Sequence, residues 1–400
     1  MPNKNRIEII SGVGDFPCLY AAVKAKADAI YFGVKGLNMR DFGKNFTIKE
    51  LPLVVEYCHK NKVKAYLALN TIVYDKEQSL VKRILNVSKK AKIDAVICSD
   101  FLIFQESHRL KIPIHISTQM SVSNSSACNF LVKCGAKRIV LARELSLKQI
   151  KEIRKKTKIE LEIFVHGSLC ISVSGRCFMS LYFHDKSANR GKCTNPCRRV
   201  WYLEGEEQGN KAEIYGNRII SSKDLCTIPF FEKLVQLNPT GFKIEGRNKG
   251  PDYIYLTTKV YKEALQLAQN NKLTKNAKAK LEKQLSTVFN RGFISGFYLR
   301  EPDHTGIQPK KQSERTSKLV CIGRVRKYFA KPGVAEINAD LNFEVGKEIV
   351  VQGSITYFRQ KLESVEFERN KVSTVKRGQD VGIKVNEQVR KGDLIYILDS

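Results

Sequence analysis

What the chain lacks narrows its class first. No apolar run approaches the ~18–20 residues of a membrane-spanning helix, so no contact with a membrane is expected. No secretory apolar segment follows Met1-Pro2-Asn3-Lys4-Asn5-Arg6, which points to a cytoplasmic protein. A glycine-rich phosphate loop is missing, and with it the main argument for an open nucleotide-binding sheet. Neither a Gly-x-Ser-x-Gly elbow nor a His-Glu-x-x-His helix occurs, so two common hydrolase sites are excluded. Acidic residues are in the minority: 40 Asp+Glu against 69 Lys+Arg leave a formal charge of +29. Such an excess favours a polyanionic partner, nucleic acid foremost, although a lysine-rich genome would give the same count. The remaining composition, 42% apolar and 27% charged, is that of a folded protein, and 400 residues suffice for two or three domains.

Residues 6–160 alternate short apolar runs with helical stretches. Strands are expected at Arg6–Ile10, Ala29–Val34, Lys64–Asn70, Asp94–Ser99, Ile114–Thr118, Arg138–Ala142 and Glu160–His166, with helices at Pro17–Lys26, Ile48–Asn61, Lys76–Ala91, Asn124–Cys134 and Ser146–Thr157. An eighth strand at Gly241–Glu245 completes a parallel (β/α)8 TIM-type barrel over residues 1–300, with a cysteine-rich segment inserted at about 162–226. Two helices, Tyr253–Asn270 and the lysine-rich Asn276–Val288, form a basic element at 253–288. Residues 301–318, with Pro302, Gly306, Pro309, Lys310 and Lys311, read as a linker. From Leu319 the apolar period becomes two, so 319–400 should form a small all-β barrel, with hairpin turns at Gly346-Lys347 and Gly392-Asp393. Its pattern resembles the second-domain barrel of translation factors.

In such a barrel the site gathers at the carboxyl ends of the strands. The polar residues there include Ser11, Asp15, Asn38, Arg40, Asn70, Asp100, Thr118, Gln119, Arg143, Glu144, His166, Glu245 and Arg247. Each alone could be a loop cap. Together, Asn38, Arg40, Gln119, Arg143, His166 and Arg247 are candidates for binding an anionic substrate, with the three arginines available for carboxylates or phosphates. Glu245 and Asp224 are candidates for general acid–base work.

Eleven cysteines are present, and six of them are scattered in apolar surroundings. The other five, Cys170, Cys177, Cys193, Cys197 and Cys226, fall in one segment. Only Cys193 and Cys197 have the spacing of a zinc knuckle, and no second knuckle accompanies them. Thiolates spread over loops suit an iron–sulfur cluster, with zinc and no metal as the alternatives. Glycines and serines between them supply backbone N–H groups, and Arg176, Lys192 and Arg198 offset thiolate charge. The expected ligands are Cys170, Cys177, Cys193 and Cys226, with Cys197 as the alternative fourth.

The run Glu162-x-Phe164-x2-Gly167-Ser168-Leu169-Cys170-x4-Gly175-x-Cys177-x-Met179-Ser180 resembles the signature of the family historically called peptidase U32, or collagenase-like proteases. The resemblance extends to Asp28–Gly33, Asn38-x-Arg40, Ser187–Cys193, Ser222–Cys226 and Phe242–Arg247, nearly the whole chain. One departure is the first loop, Ser11-Gly12-Val13-Gly14-Asp15, which lacks the usual Pro-Ala. The resemblance implies an oxygen-independent hydroxylase carrying a 4Fe-4S cluster. The length, the Arg190–Arg198 stretch and the terminal β-domain look most like the branch that forms 5-hydroxyuridine at the tRNA wobble position with prephenate. That reading implies tRNA as partner, a small dicarboxylate such as prephenate at the arginine-lined barrel mouth, and an electron donor or acceptor. Hydroxylation of large-subunit rRNA and a U32-type peptidase are the alternatives. For a peptidase, His166 and Cys170 would be the pair to consider, but spending Cys170 on a cluster removes its nucleophile.

Overall fold

The computed structural model describes residues 7–201, 220–308 and 313–399. Seven parallel strands come first: β1 (Glu8–Gly12), β2 (Ala29–Gly33), β3 (Lys64–Leu69), β4 (Ala95–Cys98), β5 (Ile114–Ile116), β6 (Arg138–Val140) and β7 (Glu160–Ser168). The helices α1 (Phe16–Lys24), α2 (Leu51–Lys60), α3 (Gln78–Lys90), α4 (Phe101–Arg109), α5 (Ser125–Lys133) and α6 (Leu147–Lys156) connect them. After a short α7 (Met179–His184), β8 (Asp224–Cys226) runs antiparallel to the end of β7, and α8 (Phe231–Gln236) leads to β9 (Gly241–Ile244). Strand β9 pairs with both β1 and β7, which closes a barrel of eight parallel strands. Helices α9 (Pro251–Gln269) and α10 (Lys275–Ser286) and the two-residue β10 (Phe293–Ile294), paired to β8, follow.

Closure explains the composition of the strands. Both faces are covered, so β2 and β3 read as nearly unbroken apolar runs. The helices bury one stripe each and begin at caps: Asp15, Asp100, Asn124 and Ser146 accept from backbone N–H groups of the first turns of α1, α4, α5 and α6. Asp15 and Asp100 are thereby accounted for as caps. Helix α4 has no counterpart among the expected helices. Its apolar opening, Phe101–Phe104, hides the helical period, because Phe101 is 72% exposed and only Ile103 and Ser107 are buried.

The C-terminal unit contains β11 (Lys318–Phe329), β12 (Val334–Asn338), β13 (Phe343–Glu344), β14 (Glu348–Gln352), β15 (Tyr357–Lys361), β16 (Val365–Phe367), β17 (Asn370–Val372), β18 (Thr374–Val375), β19 (Asp380–Lys384) and β20 (Leu394–Asp399). It is a curled antiparallel sheet in the order β15-β14-β20-β11-β12-β19-β16-β17, wrapped on its own core, with β13 and β18 paired separately. Among the described residues no ladder joins its edge strands β15 and β17. The glycine pairs at 346 and 392 are not hairpin turns. Strand β13 pairs with β18 rather than β14, and β20 pairs with β11 and β14 rather than β19.

Of the expected linker, Pro309, Lys310, Lys311 and Gln312 lie outside the described residues, as does Arg6 of the first expected strand. The rest of the linker is tied to the barrel. Gln308 N donates to Ser221 O (2.7 Å), Glu314 N to Asn290 O (3.0 Å) and Thr316 N to Ser286 O (3.0 Å). The two cores also touch: Val350 and Tyr357 pack into the barrel's apolar cluster, and the rings of Tyr255 and Tyr357 lie 5.3 Å apart. Among the described residues no helix is long and apolar enough to cross a membrane.

Candidate active site

The carboxyl ends of the barrel strands open into a cavity of about 460 Å³. Its lid is the segment after β7. Gly167, at φ +107°, lets that segment pass Glu245, whose backbone oxygen a Cβ would meet at 2.6 Å. Gly191, at φ +78°, lies so close to Asn38 O that a Cβ would overlap it, and Phe42 N donates to Gly191 O (3.1 Å). The Asn38–Phe42 loop and the cysteine segment are thus docked on each other. Arg198 fastens the segment's far end, donating to Ser222 O (2.9 Å) and Leu169 O (2.7 Å).

Cys170, Cys177, Cys193 and Cys197 all line this cavity. Two of the sulfurs have donors at hand: Met179 N lies 3.4 Å from Cys177 Sγ, and Ser180 Oγ lies 3.8 Å from Cys193 Sγ. Burial pushes the Cys197 thiol up to about 11, against the pull of Arg198 and with the other three sulfurs contributing. Cys226 is elsewhere. It sits on β8 opposite His166, 2% exposed, with its thiol pushed up to about 12 by burial and facing Tyr261 Oη at 3.9 Å. Of the two thiols expected for the fourth place, Cys197 thus lines the cavity and Cys226 does not. The physical reason is the antiparallel return of β8, which turns that thiol into the barrel core.

Glu245 stands at the cavity floor. It accepts from Tyr31 Oη (3.0 Å) and from Arg40 Nε (3.4 Å). Burial raises its pKa, but Arg40, Arg143, Arg247 and the Tyr31 hydroxyl together outweigh that and hold it below the usual carboxylate range. It is thus fixed as an anion, which suits a positioning role better than proton donation. Arg143 lies over the Phe164 ring, 4.2 Å from its centroid, with Nε and Nη2 buried and without partners among the described residues. Gln119 is oriented by a chain of bonds. Met39 N donates to Asn70 Oδ1 (3.2 Å), which turns Asn70 Nδ2 to Gln119 Oε1 (2.9 Å) and leaves the Gln119 amide nitrogen toward the cavity.

Four other candidates are not on the main cavity wall. Arg247 lines a smaller adjoining space of about 40 Å³ together with Arg40, Gln119 and Glu245. Its Nη2 donates to Asn45 Oδ1 (2.7 Å) and Asn38 Oδ1, and burial lowers its pKa to about 10. Asn38 is completely buried behind it and positions the arginine, with no surface on either cavity. His166 is 1% exposed among Tyr253, Tyr261 and Phe293, and burial lowers it to about 4. It is core, neither substrate-facing nor paired with the exposed Cys170. Asp224 is also buried, 3.4 Å from Arg291 Nη1, and does not reach the cavity.

The sequence reading missed one wall. Lys249, Arg291 and Arg315 line the cavity with Tyr253 and Phe289, beside Arg198 of the cysteine segment. Lys249 Nζ rests 3.6 Å from the Phe289 ring centroid. Burial lowers its amine to about 7, with Asp224 opposing and Arg291 and Arg198 adding to the fall. The signal available was Glu245-Gly-Arg247-Asn-Lys249, a basic run directly after the last barrel strand.

The donor set decides what could be held here. Among the described residues no three His, Cys, Asp or Glu side chains converge on a point as a mononuclear metal requires. Four thiols around a cavity, with N–H and O–H donors on sulfur and cationic walls, fit a larger group that accepts thiolates at its edge.

The profile of peptidase family U32 matches residues 14–308. A collagenase of Porphyromonas gingivalis is 37% identical, covering 99% of both chains. An uncharacterised protease of Methanocaldococcus jannaschii is 40% identical over 98% of both. A protein from Bacillus subtilis named tRNA hydroxylation protein P1 is 28% identical over 96% of this chain and 94% of its own. The chain belongs to peptidase family U32.

Proposed function

We propose that the protein is an RNA hydroxylase that holds a 4Fe-4S cluster on Cys170, Cys177, Cys193 and Cys197 and acts on tRNA. The observation that carries the reading is the meeting of those four thiols with a cation-rich cavity at the carboxyl end of the barrel. The likeness to a tRNA hydroxylation protein over almost the whole chain supports the substrate class, and the +29 charge supports a polyanion. The finer reading is 5-hydroxylation of a wobble uridine, with prephenate as co-substrate. Replacing a ring C–H by C–OH is a two-electron oxidation, so an oxygen source and an electron partner are needed. When bound, the cluster supplies electron transfer.

The chain's own residues do the rest. Arg143 and the Gln119 amide offer hydrogen-bond donors to carbonyl or carboxylate oxygens of a ligand. Glu245 fixes the direction of Arg40, and Tyr31 fixes Glu245. Nucleotides in an anticodon loop are unpaired and accessible, so one base can be turned out into a cavity at low cost. The relatives' protease names keep a peptidase as the second reading. Against it, His166 is sealed in the core and Cys170 lies among the other thiols, so no thiol–imidazole pair forms there.

Deleting the gene and digesting total tRNA to nucleosides for mass spectrometry tests the reading. Loss of 5-hydroxyuridine and of derivatives built on it is expected. Intact tRNA with a hydroxyl missing from large-subunit rRNA would move the activity to the ribosome. No change in either RNA would overturn the hydroxylase reading.

A further inference from the structure

Helix α7 is inside out. Ser180 faces inward, 1% exposed, with Thr194 N donating to its Oγ (3.1 Å) and its own hydroxyl directed at Cys193 Sγ. Phe178, Leu181 and Tyr182, spaced i, i+3 and i+4, share the opposite face and point to solvent at 61%, 39% and 85% exposure. A helix normally buries such a stripe. The stripe is also part of a concentration. Of the 17 large apolar side chains exposed on the described surface, seven fall between residues 171 and 200, a small fraction of the chain. Single exposed apolar residues are ordinary, but a clustered set marks a contact surface.

Its surroundings identify the partner. Arg176, Lys186, Lys192 and Arg199 are exposed in the same segment, against Asp185 as the exposed acid. Phe183 is held by Trp201, with ring centroids 4.6 Å apart, whereas Phe178 and Tyr182 have no ring contact among the described residues. Neighbouring Ile171, Cys177 and Met179 line the cavity, so the stripe forms its outer lip. Aromatic faces set among cations, beside a cavity that must receive one base, match a single-stranded nucleic acid. A protein partner or membrane would accept the apolar stripe, but four cations to one acid around it favour a phosphate backbone.

We propose that the solvent face of α7 is a stacking platform for unpaired nucleotides flanking the target base, with Tyr182 and Phe178 as the stacking rings and Lys186 and Arg199 on the backbone. The proposal rests on the RNA reading above. It is tested with the full chain, purified without oxygen, and a single-stranded uridine-containing RNA of about 12 nucleotides, compared with the same sequence as a duplex. Tyr182→Ala should weaken single-strand binding by about 5- to 100-fold, Tyr182→Phe should restore it, and duplex binding should not change. Lys186→Ala should lower the salt slope by about one, whichever RNA is used. Photocrosslinking from 4-thiouridine should place peptides 178–186 on the RNA.

Because Tyr182 is so exposed, its replacement leaves folding intact. If the wild type binds RNA and Tyr182→Ala binds it equally, with crosslinks mapping elsewhere, the platform is refuted while the RNA reading stands. If the wild type binds neither RNA, the RNA reading itself falls, and the platform with it. Unchanged RNA affinity with lost self-association in Tyr182→Ala assigns the stripe to a second copy of the chain and overturns the proposal.

Discussion

The two ends of the barrel handle buried charge in opposite ways. At the amino-terminal end, Arg138 donates to Glu8 (2.8 Å), Glu160 (2.7 Å) and Glu162 (3.3 Å), Lys243 to Glu162 (2.6 Å), and Lys64 to Glu8 (2.6 Å). Three carboxylates meet three cations, and Tyr66 adds its hydroxyl to Glu8 at 2.9 Å. At the carboxyl end, Arg40, Arg143 and Arg247 share one carboxylate, Glu245. Arg143 Nε and Nη2 and Arg247 Nε have no partner among the described residues. A matched buried network is architecture, because every charge is already answered. Unmatched donors in a cavity are costly in the free protein, and such strain persists where a ligand relieves it. The contrast separates scaffold from site without reference to any relative.

Breaking the matched end should cost most. Arg138→Met removes the one cation that Glu8, Glu160 and Glu162 share, so unfolding stability should fall by about 3–5 kcal/mol, read from a denaturant midpoint. Arg143→Met removes a cation that lacks full partners, and stability should stay within about 1 kcal/mol of the parent while ligand binding is lost. Equal losses in the two variants would erase the distinction between the ends.

His166 sharpens the comparison through pH. Its pKa is about 4 in the folded protein against an ordinary 6.5, so the folded state resists a proton that the unfolded chain accepts. Its stabilising contribution is complete above 6.5 and is lost as pH falls from 6.5 to about 4, by at most about 3 kcal/mol. His166→Gln should flatten that part of the stability–pH curve relative to the parent. An unchanged slope would mean that the imidazole is hydrated and accessible rather than sealed in the core.

Much of the architecture was legible in the chain because closed parallel strands leave a plain signal. The eight barrel strands appear where apolar runs such as Ala29–Val34 and Lys64–Asn70 predict them, within a few residues. Helix α4 was illegible because its first four residues are all apolar and Phe101 is solvent-facing. The hairpins expected at Gly346 and Gly392 failed because strand order in the C-terminal sheet follows long-range pairing, which turn residues do not encode. In the site, residue type was readable and depth was not. Arg40, Gln119, Arg143 and Glu245 reach the cavity, but His166, Asn38 and Asp224 stand behind it. Spacing did not show which of Cys226 and Cys197 reaches the cavity, because Cys193 and Cys197 both do so from one short loop. Asn195, in the left-handed region at φ 56°, followed by Pro196 in a single 3-10 turn, makes that short loop possible.

The central claim is that four thiols, Cys197 among them and Cys226 not, hold an iron–sulfur cluster at the barrel mouth. The measurement that tests it is iron and acid-labile sulfide per chain in protein purified without oxygen, compared among the parent, Cys197→Ala and Cys226→Ala. The parent should carry about four of each. Cys197→Ala should lose most of its iron, its sulfide and its brown colour. Cys226→Ala should keep them, with a small loss of stability, about 1 kcal/mol, from the thiol removed from the core. Full iron in Cys197→Ala with loss in Cys226→Ala, or stoichiometric zinc without iron in the parent, would contradict the account.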